Sequence, residues 1–128
     1  MKVPETNMHE LLGIEMDEAG DGVVTGRIAV TDQVRQPFGL VHGGAYAALA
    51  ETLVSAATYV SVSGDGSVAM GQSNNTTFMR PVTSGNVHAD ATVRHRGRTT
   101  WVWDVDFTDD DGKLCASSRV TMAVRAPR

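Results

Sequence analysis

The chain has 128 residues, of which 41% are hydrophobic and 20% charged, a composition typical of one folded domain rather than a disordered segment. With 15 acidic and 11 basic residues the net charge is −4, which argues against nucleic-acid binding through a generally basic surface. A single cysteine, Cys115, excludes an internal disulfide and a multi-cysteine zinc site and favours a reducing compartment, the cytoplasm.

The N-terminal region predicts a short helix followed by a β-hairpin. Asn7 can cap a helix that runs to Leu12. Apolar and polar residues then alternate over 14–18 and 22–30, and a Gly-Asp-Gly turn lies between these runs. The apolar face of the second strand is formed by Val24, Gly26, Ile28 and Val30.

A loop over residues 31–42 precedes the longest helical segment, residues 43–61. Apolar residues repeat there at spacings of three and four, and alanine is frequent. Glu51 is the only acidic or basic residue of this segment, so we expect most sides of the helix to be buried by a sheet that wraps around it. No run of roughly 18 uncharged apolar residues occurs, and we expect neither a membrane span nor a signal peptide.

Four strand-like runs follow, at residues 67–80, 85–96, 99–109 and 114–124, joined by turns rich in glycine, proline and aspartate. Together the elements predict a single α+β domain over residues 1–128. An antiparallel sheet of five to six strands, the last four forming a meander, wraps around one long central helix. Open sheet edges favour self-association. The third run has one aromatic and apolar face, formed by Trp101, Trp103, Val105 and Phe107.

Candidate chemistry begins where the loop meets the helix, at Gly43 and Gly44. The first N–H groups of a helix have no intrahelical partner and carry the positive end of the helix dipole. Glycine leaves room for a ligand there, so an N–H can polarise a carbonyl and stabilise an oxyanion. The alternative is that the glycines only let the chain turn into the helix.

Glu51 lies eight residues after Gly43, which is about 12 Å along a helix axis. One subunit therefore cannot bring both to the same oxygen, and if both are catalytic we expect them to come from two subunits with antiparallel helices. A carboxylate on an apolar helix is costly to bury unless it is functional or paired. The alternatives are a salt bridge, for example with Arg80, or exposure on the one polar stripe of the helix.

Other polar residues near the loop are weaker candidates. His42 could donate a hydrogen bond or orient the loop, and Gln36 could donate its amide to a carbonyl. Ser55, one turn after Glu51, could position a water or the carboxylate, or could simply allow close packing. Arginines and histidines cluster between residues 80 and 98, and Arg98 is the preferred phosphate contact, although an exposed arginine-bearing strand face is the alternative.

The stretch QPFGLVHGGAYAALAE resembles the motif of hotdog-fold acyl-CoA thioesterases. It is most similar to the branch that acts on phenylacetyl-, 4-hydroxybenzoyl- and 1,4-dihydroxy-2-naphthoyl-CoA. The resemblance extends from about Leu12 to Val124, through NNTTFMRPVTSG, HRGRTTWVWDVDFTDDDG and LCASSRVTMAV.

This resemblance implies a hotdog fold and hydrolysis of an acyl-CoA thioester, with an aryl acyl group. It implies that Gln36 and the Gly43 N–H hold the thioester carbonyl, and that His42 supports the loop. Glu51 of the partner subunit would act as nucleophile or general base, assisted by Ser55. Phe78 stands where naphthoyl-type enzymes tend to carry a histidine, so the acyl specificity is open. The implied substrate- and CoA-binding residues are Gly44, Asn75, Phe78, Arg80, Arg98 and Thr99.

The same resemblance implies homodimers with shared active sites, commonly paired into tetramers. No metal and no cofactor is expected beyond the coenzyme A of the substrate itself, and neither nucleic acid nor membrane is expected as a partner. The alternative functions are a non-catalytic acyl-CoA-binding module, a hotdog enoyl-CoA hydratase, and a purely structural oligomeric protein.

Overall fold

The computed structural model describes residues 3–128, in which one six-stranded antiparallel sheet curves around one long helix. This confirms the predicted α+β architecture with a single central helix. Two short 3-10 turns, Asp32–Val34 and Ser63–Asp65, flank that helix in the chain. The helices and strands are α1 (Met8–Leu12), β1 (Ile14–Gly20), β2 (Val23–Ala29), α2 (Gly43–Val62), β3 (Val68–Phe78), β4 (Asn86–Arg96), β5 (Thr100–Thr108) and β6 (Leu114–Arg125).

The strand order is β1-β2-β4-β5-β6-β3, so the predicted meander of the last four strands is wrong for β3. β3 pairs with β6 at one edge of the sheet, while β4 pairs with β2. The segment between β3 and β4 does not form a hairpin because it is held elsewhere. Val82 is buried, and its carbonyl accepts a hydrogen bond of 2.9 Å from the Val41 N–H, in the loop before α2. β3 is therefore an edge strand.

The core lies between α2 and the concave face of the sheet. Leu49, Leu53 and Val54 of α2 are fully buried there. Val24 and Ile28 of β2 are buried too, as their alternation predicts. The predicted apolar face of β5 is likewise confirmed, because all four of its residues are buried: Trp101, Trp103, Val105 and Phe107.

One buried hydrogen-bond chain ties α2 to the centre of this core. The Trp103 Nε1–H donates to Thr58 Oγ1 at 2.9 Å, and the Thr58 hydroxyl donates to the Val54 carbonyl at 2.6 Å. Both side chains are almost completely inaccessible. The indole N–H therefore has a partner in a region that water does not reach.

The expectation that most sides of α2 are buried is wrong for the single chain. Glu51, Tyr59 and Val60 are exposed along the side that the sheet does not cover. By length and composition alone, the segment Gly43–Asp65 is long and apolar enough to cross a membrane. In this fold that segment contains the core helix α2. A core helix is apolar because one of its sides packs on the sheet, so it also passes a test of length and composition.

Candidate active site

The N-terminus of α2 is capped by the side chain of the preceding residue. His42 has an extended backbone conformation, and its Nδ1 accepts a hydrogen bond of 2.8 Å from the Gly44 N–H. His42 therefore accepts this hydrogen bond rather than donating one, and Gly43 is the first helical residue. The Gly43 N–H has no acceptor within the helix, and the His42 side chain accepts from the Gly44 N–H rather than from that of Gly43. The Gly43 N–H is thus available as a donor at the positive end of the helix.

The loop before the helix orients the Gln36 side chain. The Gln36 backbone N–H donates to the Leu40 carbonyl at 2.9 Å, which closes a tight turn. The Phe38 N–H donates to the Gln36 side chain, and because an N–H can only donate, the accepting atom is the amide oxygen. The amide NH₂ of Gln36 is then the end that remains free to donate to a ligand.

Gln36 and Gly43 line the same cavity, of about 400 Å³, which we call the Gly43 cavity. Its walls are otherwise mostly apolar, and Arg80 is the one charged residue that lines it. Two donors and one cation in an apolar recess can hold a carbonyl oxygen and accept an apolar or aromatic group beside it. The remaining lining residues are Leu40, Val41, Tyr46, Phe78, Met79 and Pro81.

Two aromatic rings, those of Tyr46 and Phe78, line the Gly43 cavity, and Phe107 packs against Tyr46. The Tyr46 ring lies 5.8 Å from the Phe78 ring and 5.3 Å from the Phe107 ring, the latter edge-to-face. Burial raises the pKa of the Tyr46 hydroxyl far above its ordinary value, so the phenol is neutral. Burial also raises the pKa of the neighbouring Cys115 thiol. This part of the site is therefore uncharged and packs flat groups well.

Glu51 lines a different cavity, of about 370 Å³, which we call the Glu51 cavity. The carboxylate of Glu51 rests on β3 at Gly71, where a β-carbon would lie only 3.0 Å from Glu51 Cδ. The proposed salt bridge with Arg80 is absent, and within residues 3–128 neither side chain belongs to an ion pair. The other residues that line this cavity are Met8, His9, Gly44, Ala47, Ala48, Thr52 and Asn74.

Ser55 lies one helical turn after Glu51 and is half-buried. Its hydroxyl is 3.8 Å from the Met122 Sδ on β6, and Ser55 is not among the residues that line the Glu51 cavity. In the single chain it therefore supports the helix face next to Glu51 rather than contacting the carboxylate.

Asn74 is a site residue that the sequence analysis missed. It lines the Glu51 cavity, whereas Asn75 faces the opposite, outer side of the sheet in a polar groove with Ser73 and Thr77. Adjacent strand residues point to opposite faces, so only one asparagine of the pair can face α2. The sequence carried no marker for which one does, because a bulge between Gly71 and Ser73 shifts the alternation of this strand.

The predicted phosphate contacts lie at the other end of α2. Arg98 lines a recess with Ser61, in the last turn of α2, and Asp65, in the 3-10 turn that follows. α2 has 20 residues, so this end is about 30 Å from Gly43 in the same chain. Thr99 lies beside Arg98, and its carbonyl accepts a hydrogen bond of 2.9 Å from the Val124 N–H.

Three other members of the predicted basic cluster are paired with acids on the surface. Arg96 binds Asp21 at 2.6 Å, and His88 binds Asp110 at 2.7 Å. Arg94 lies 3.7 Å from an oxygen of Asp104. These side chains fit the alternative interpretation of exposed strand residues. Within residues 3–128, no cluster of His, Cys, Asp and Glu is arranged to hold a metal ion.

Comparison with known proteins agrees with this geometry. Residues 38–116 match the family model described as the thioesterase superfamily. The chain is 39% identical over 115 residues to the proofreading thioesterase EntH of Cronobacter turicensis, which covers 90% of this chain and 83% of that protein. It is 36% identical over 120 residues to the 1,4-dihydroxy-2-naphthoyl-CoA hydrolase of Escherichia coli, covering 94% and 88%. The crystal structure of a mutant of the thioesterase PA1618 from Pseudomonas aeruginosa superposes with a TM-score of 0.89 at 40% identity, covering 93% of this chain and 86% of that one.

Proposed function

Since the chain belongs to the thioesterase superfamily and is a thioester hydrolase, we propose that it cleaves an aryl-CoA thioester into the free acid and coenzyme A. The observation that carries this proposal is the Gly43 cavity, in which two hydrogen-bond donors meet a wall of aromatic rings. A flat acyl group fits such a wall, and the named activity of the Escherichia coli relative is the hydrolysis of an aryl-CoA.

In this proposal the thioester oxygen binds the Gly43 N–H and the Gln36 amide. Both are held before the substrate arrives, Gly43 by the capped helix and Gln36 by its contact with the Phe38 N–H. Preorganised donors stabilise the negative charge that develops on the oxygen, and removal of one such donor typically costs about 100-fold or more in kcat. Arg80 adds positive charge at the same cavity.

Glu51 is the proposed nucleophile or general base. Its carboxylate either attacks the carbonyl carbon and expels the CoA thiolate, leaving an anhydride for water to cleave, or takes a proton from the attacking water. Ser55 assists by ordering that water. A thioester is already an activated acyl group, so neither route requires a metal ion or a cofactor beyond the coenzyme A of the substrate.

The site is shared between two copies of the chain. Gly43 and Glu51 line separate cavities of one chain, and their spacing on α2 is about 12 Å. β3 is an edge strand, and the carboxylate of Glu51 rests near one end of it while Gly43 packs against Phe78 at the other. Antiparallel pairing of two β3 strands about a two-fold axis brings the Glu51 end of one copy to the Gly43 end of the other.

Exposed apolar side chains support this homodimer. They lie on β3 and on the last turns of α2, beside the open sheet edge, where a second copy would cover them. We take the dimer to pair further into a tetramer, and the protein to act in the cytoplasm. The side chains concerned are Tyr59, Val60, Val68, Met70 and Phe78.

The coenzyme A portion of the substrate then extends along the dimer. Arg98 lies beyond the C-terminal end of α2, so in an antiparallel dimer the partner copy brings its Arg98 toward the Gly43 end of the first. Within residues 3–128 Arg98 forms no ion pair, and a guanidinium in that state suits a phosphate group. Asn75 and Thr99 remain the accompanying polar contacts of this proposal.

Thiol release from a panel of aryl- and alkyl-CoA thioesters tests the proposal. We expect the wild type to prefer aryl substrates, Glu51→Gln to lose at least about 1000-fold in kcat, and Gln36→Ala to lose about 100-fold. Glu18→Gln, an exposed glutamate on β1, is the matched control. A Glu51→Gln variant within about tenfold of the wild type would remove Glu51 from the mechanism.

A further inference from the structure

Gly71 and Asn74 lie on the same face of β3 although they are three positions apart in the sequence, an odd offset. In a regular strand such residues point to opposite faces. Gly71 pairs with Met122 and Asn74 pairs with Val120, and both partners on β6 are fully buried toward α2. The register shift between Gly71 and Ser73 accounts for this, because the bulge adds a residue to one strand only.

Two residues on either side of the bulge, Gly71 and Asn74, support the turn of α2 that carries Glu51. Gly71 provides the open surface on which the Glu51 carboxyl group rests, since a side chain there would be in its way. Asn74 provides a hydrogen bond to the helix, because its Nδ2 donates to the Ala47 carbonyl at 3.0 Å. In an α-helix that same carbonyl accepts the N–H of the residue four positions later, which is Glu51. Asn74 and the Glu51 main chain are thus bound to one oxygen.

The orientation of the Asn74 side-chain amide is fixed by a hydroxyl group on the same strand. The Thr76 hydroxyl donates to Asn74 Oδ1 at 2.8 Å, and it lies 2.7 Å from the hydroxyl of Ser118, which is buried. Because the Thr76 hydroxyl donates its proton, the amide atom that it contacts must be the oxygen. The NH₂ group of Asn74 therefore faces α2. One N–H of this NH₂ group donates to the Ala47 carbonyl. The other can donate into the Glu51 cavity, which Asn74 and Glu51 both line.

We propose that Asn74 is a positioning residue for Glu51: it fixes the turn of α2 that carries this carboxylate and holds that turn against the bulged edge strand. The inference rests on the proposed catalytic role of Glu51. Within the single chain β3 is an edge strand and Glu51 is exposed, so the core of that chain does little to hold this carboxylate in place. The hydrogen bond from Asn74 supplies the constraint that packing does not.

The consequence is measurable because misplacement of a reacting group by about 1 Å can cost about 100-fold in rate. Asn74→Ala removes the hydrogen bond and should lower kcat about tenfold or more while KM stays within about twofold. Asn74→Asp keeps the shape but puts a second carboxylate beside Glu51. His9 is the other titratable side chain that lines this cavity within the described part of the chain.

The experiment therefore compares kcat, KM and the pH profile of kcat/KM for Asn74→Ala and Asn74→Asp with those of Ser73→Asp. Ser73 is adjacent on β3 but faces the outer groove, so its variant gains the same charge on the opposite side of the sheet. We expect the acid limb of the profile to move to higher pH in Asn74→Asp alone, because a nearby like charge raises the pKa of a carboxyl group.

Circular dichroism and the thermal midpoint of each variant separate positioning from unfolding. A fall in kcat that matches a loss of folded protein, or a pH profile that is unmoved in Asn74→Asp, would overturn the inference. Glu51→Gln runs in parallel as the reference. If Glu51→Gln stays active, the proposed mechanism fails; if it is inactive while Asn74→Ala turns over like the wild type, only the role of Asn74 fails.

Discussion

The Phe78 ring packs directly against Gly43, so closely that a β-carbon on Gly43 would lie 2.7 Å from Phe78 Cζ. Gly43→Ala should therefore push the ring into the Gly43 cavity while the backbone N–H stays in place. We expect KM for an aryl-CoA to rise about tenfold and the fold to be retained, because a single side chain can rotate.

The double variant Gly43→Ala/Phe78→Ala is the test of that explanation. Removal of the ring frees the space that the new methyl group needs, so the two effects should not add. Kinetics of both single variants and the double variant measure the coupling. Additive losses would show that the glycine is required for a reason other than its contact with Phe78.

Mixed dimers should regain activity if each site takes Gly43 from one copy and Glu51 from the other. Glu51→Gln and Gly43→Val are each expected to be inactive as homodimers. In a mixed dimer one site carries both changes and the other carries neither. Random mixing should then restore about a quarter of the wild-type sites, measured by thiol release after co-refolding. Mixtures that stay inactive, although mixed dimers form, would place both residues in a site within one chain.

Thr58→Val should destabilise the core. It removes the acceptor of the buried Trp103 indole N–H at nearly constant side-chain volume, and an unsatisfied buried donor costs about 1–3 kcal/mol. Urea unfolding followed by tryptophan fluorescence measures the loss. Ser61→Ala is the matched control, since Ser61 makes a similar hydrogen bond to the Ala57 carbonyl, at 2.9 Å, near the exposed end of α2. A loss for Thr58→Val no larger than that for Ser61→Ala would contradict this account.

The turn between β5 and β6 should loosen at acidic pH. The hydrogen bond from His88 is the main cause that lowers the pKa of Asp110, and the Asn86 N–H adds to it at 3.2 Å. A carboxyl group with a lowered pKa stabilises the fold above its ordinary titration range, and that contribution is lost as the pH falls through the lowered value. NMR titration of the Asp110 carboxyl carbon should give a higher pKa in His88→Ala and an unchanged one in His95→Ala.

Local patterns predicted most of the secondary structure and the faces of the central strands. The alternation around Val24 and Ile28 and the aromatic face of β5 each identify the buried side, because burial of alternate residues is a local constraint. The His42-Gly43-Gly44 sequence likewise predicts the residue at which α2 begins. The same stretch places Glu51 on that helix and Gln36 in the loop before it.

Long-range pairing and the bulge could not be predicted in this way. The partner of β3 depends on how the segment around Val82 is bound to the loop before α2, which no local pattern encodes. The choice between Asn74 and Asn75 depends on one inserted residue in one strand. Glu51 is exposed because the sheet leaves that side of α2 uncovered, and composition alone does not predict which side this is.

The donor at the start of α2 belongs to the main chain, and this affects how the protein can change over generations. Apart from proline, every amino acid at position 43 supplies the same N–H, so point mutation can crowd this donor but can hardly delete it. The polarising contact is inherited with the backbone. Drift in substrate preference is then free to proceed through the side chains around it, such as the exposed apolar side chains of Phe78 and Met79.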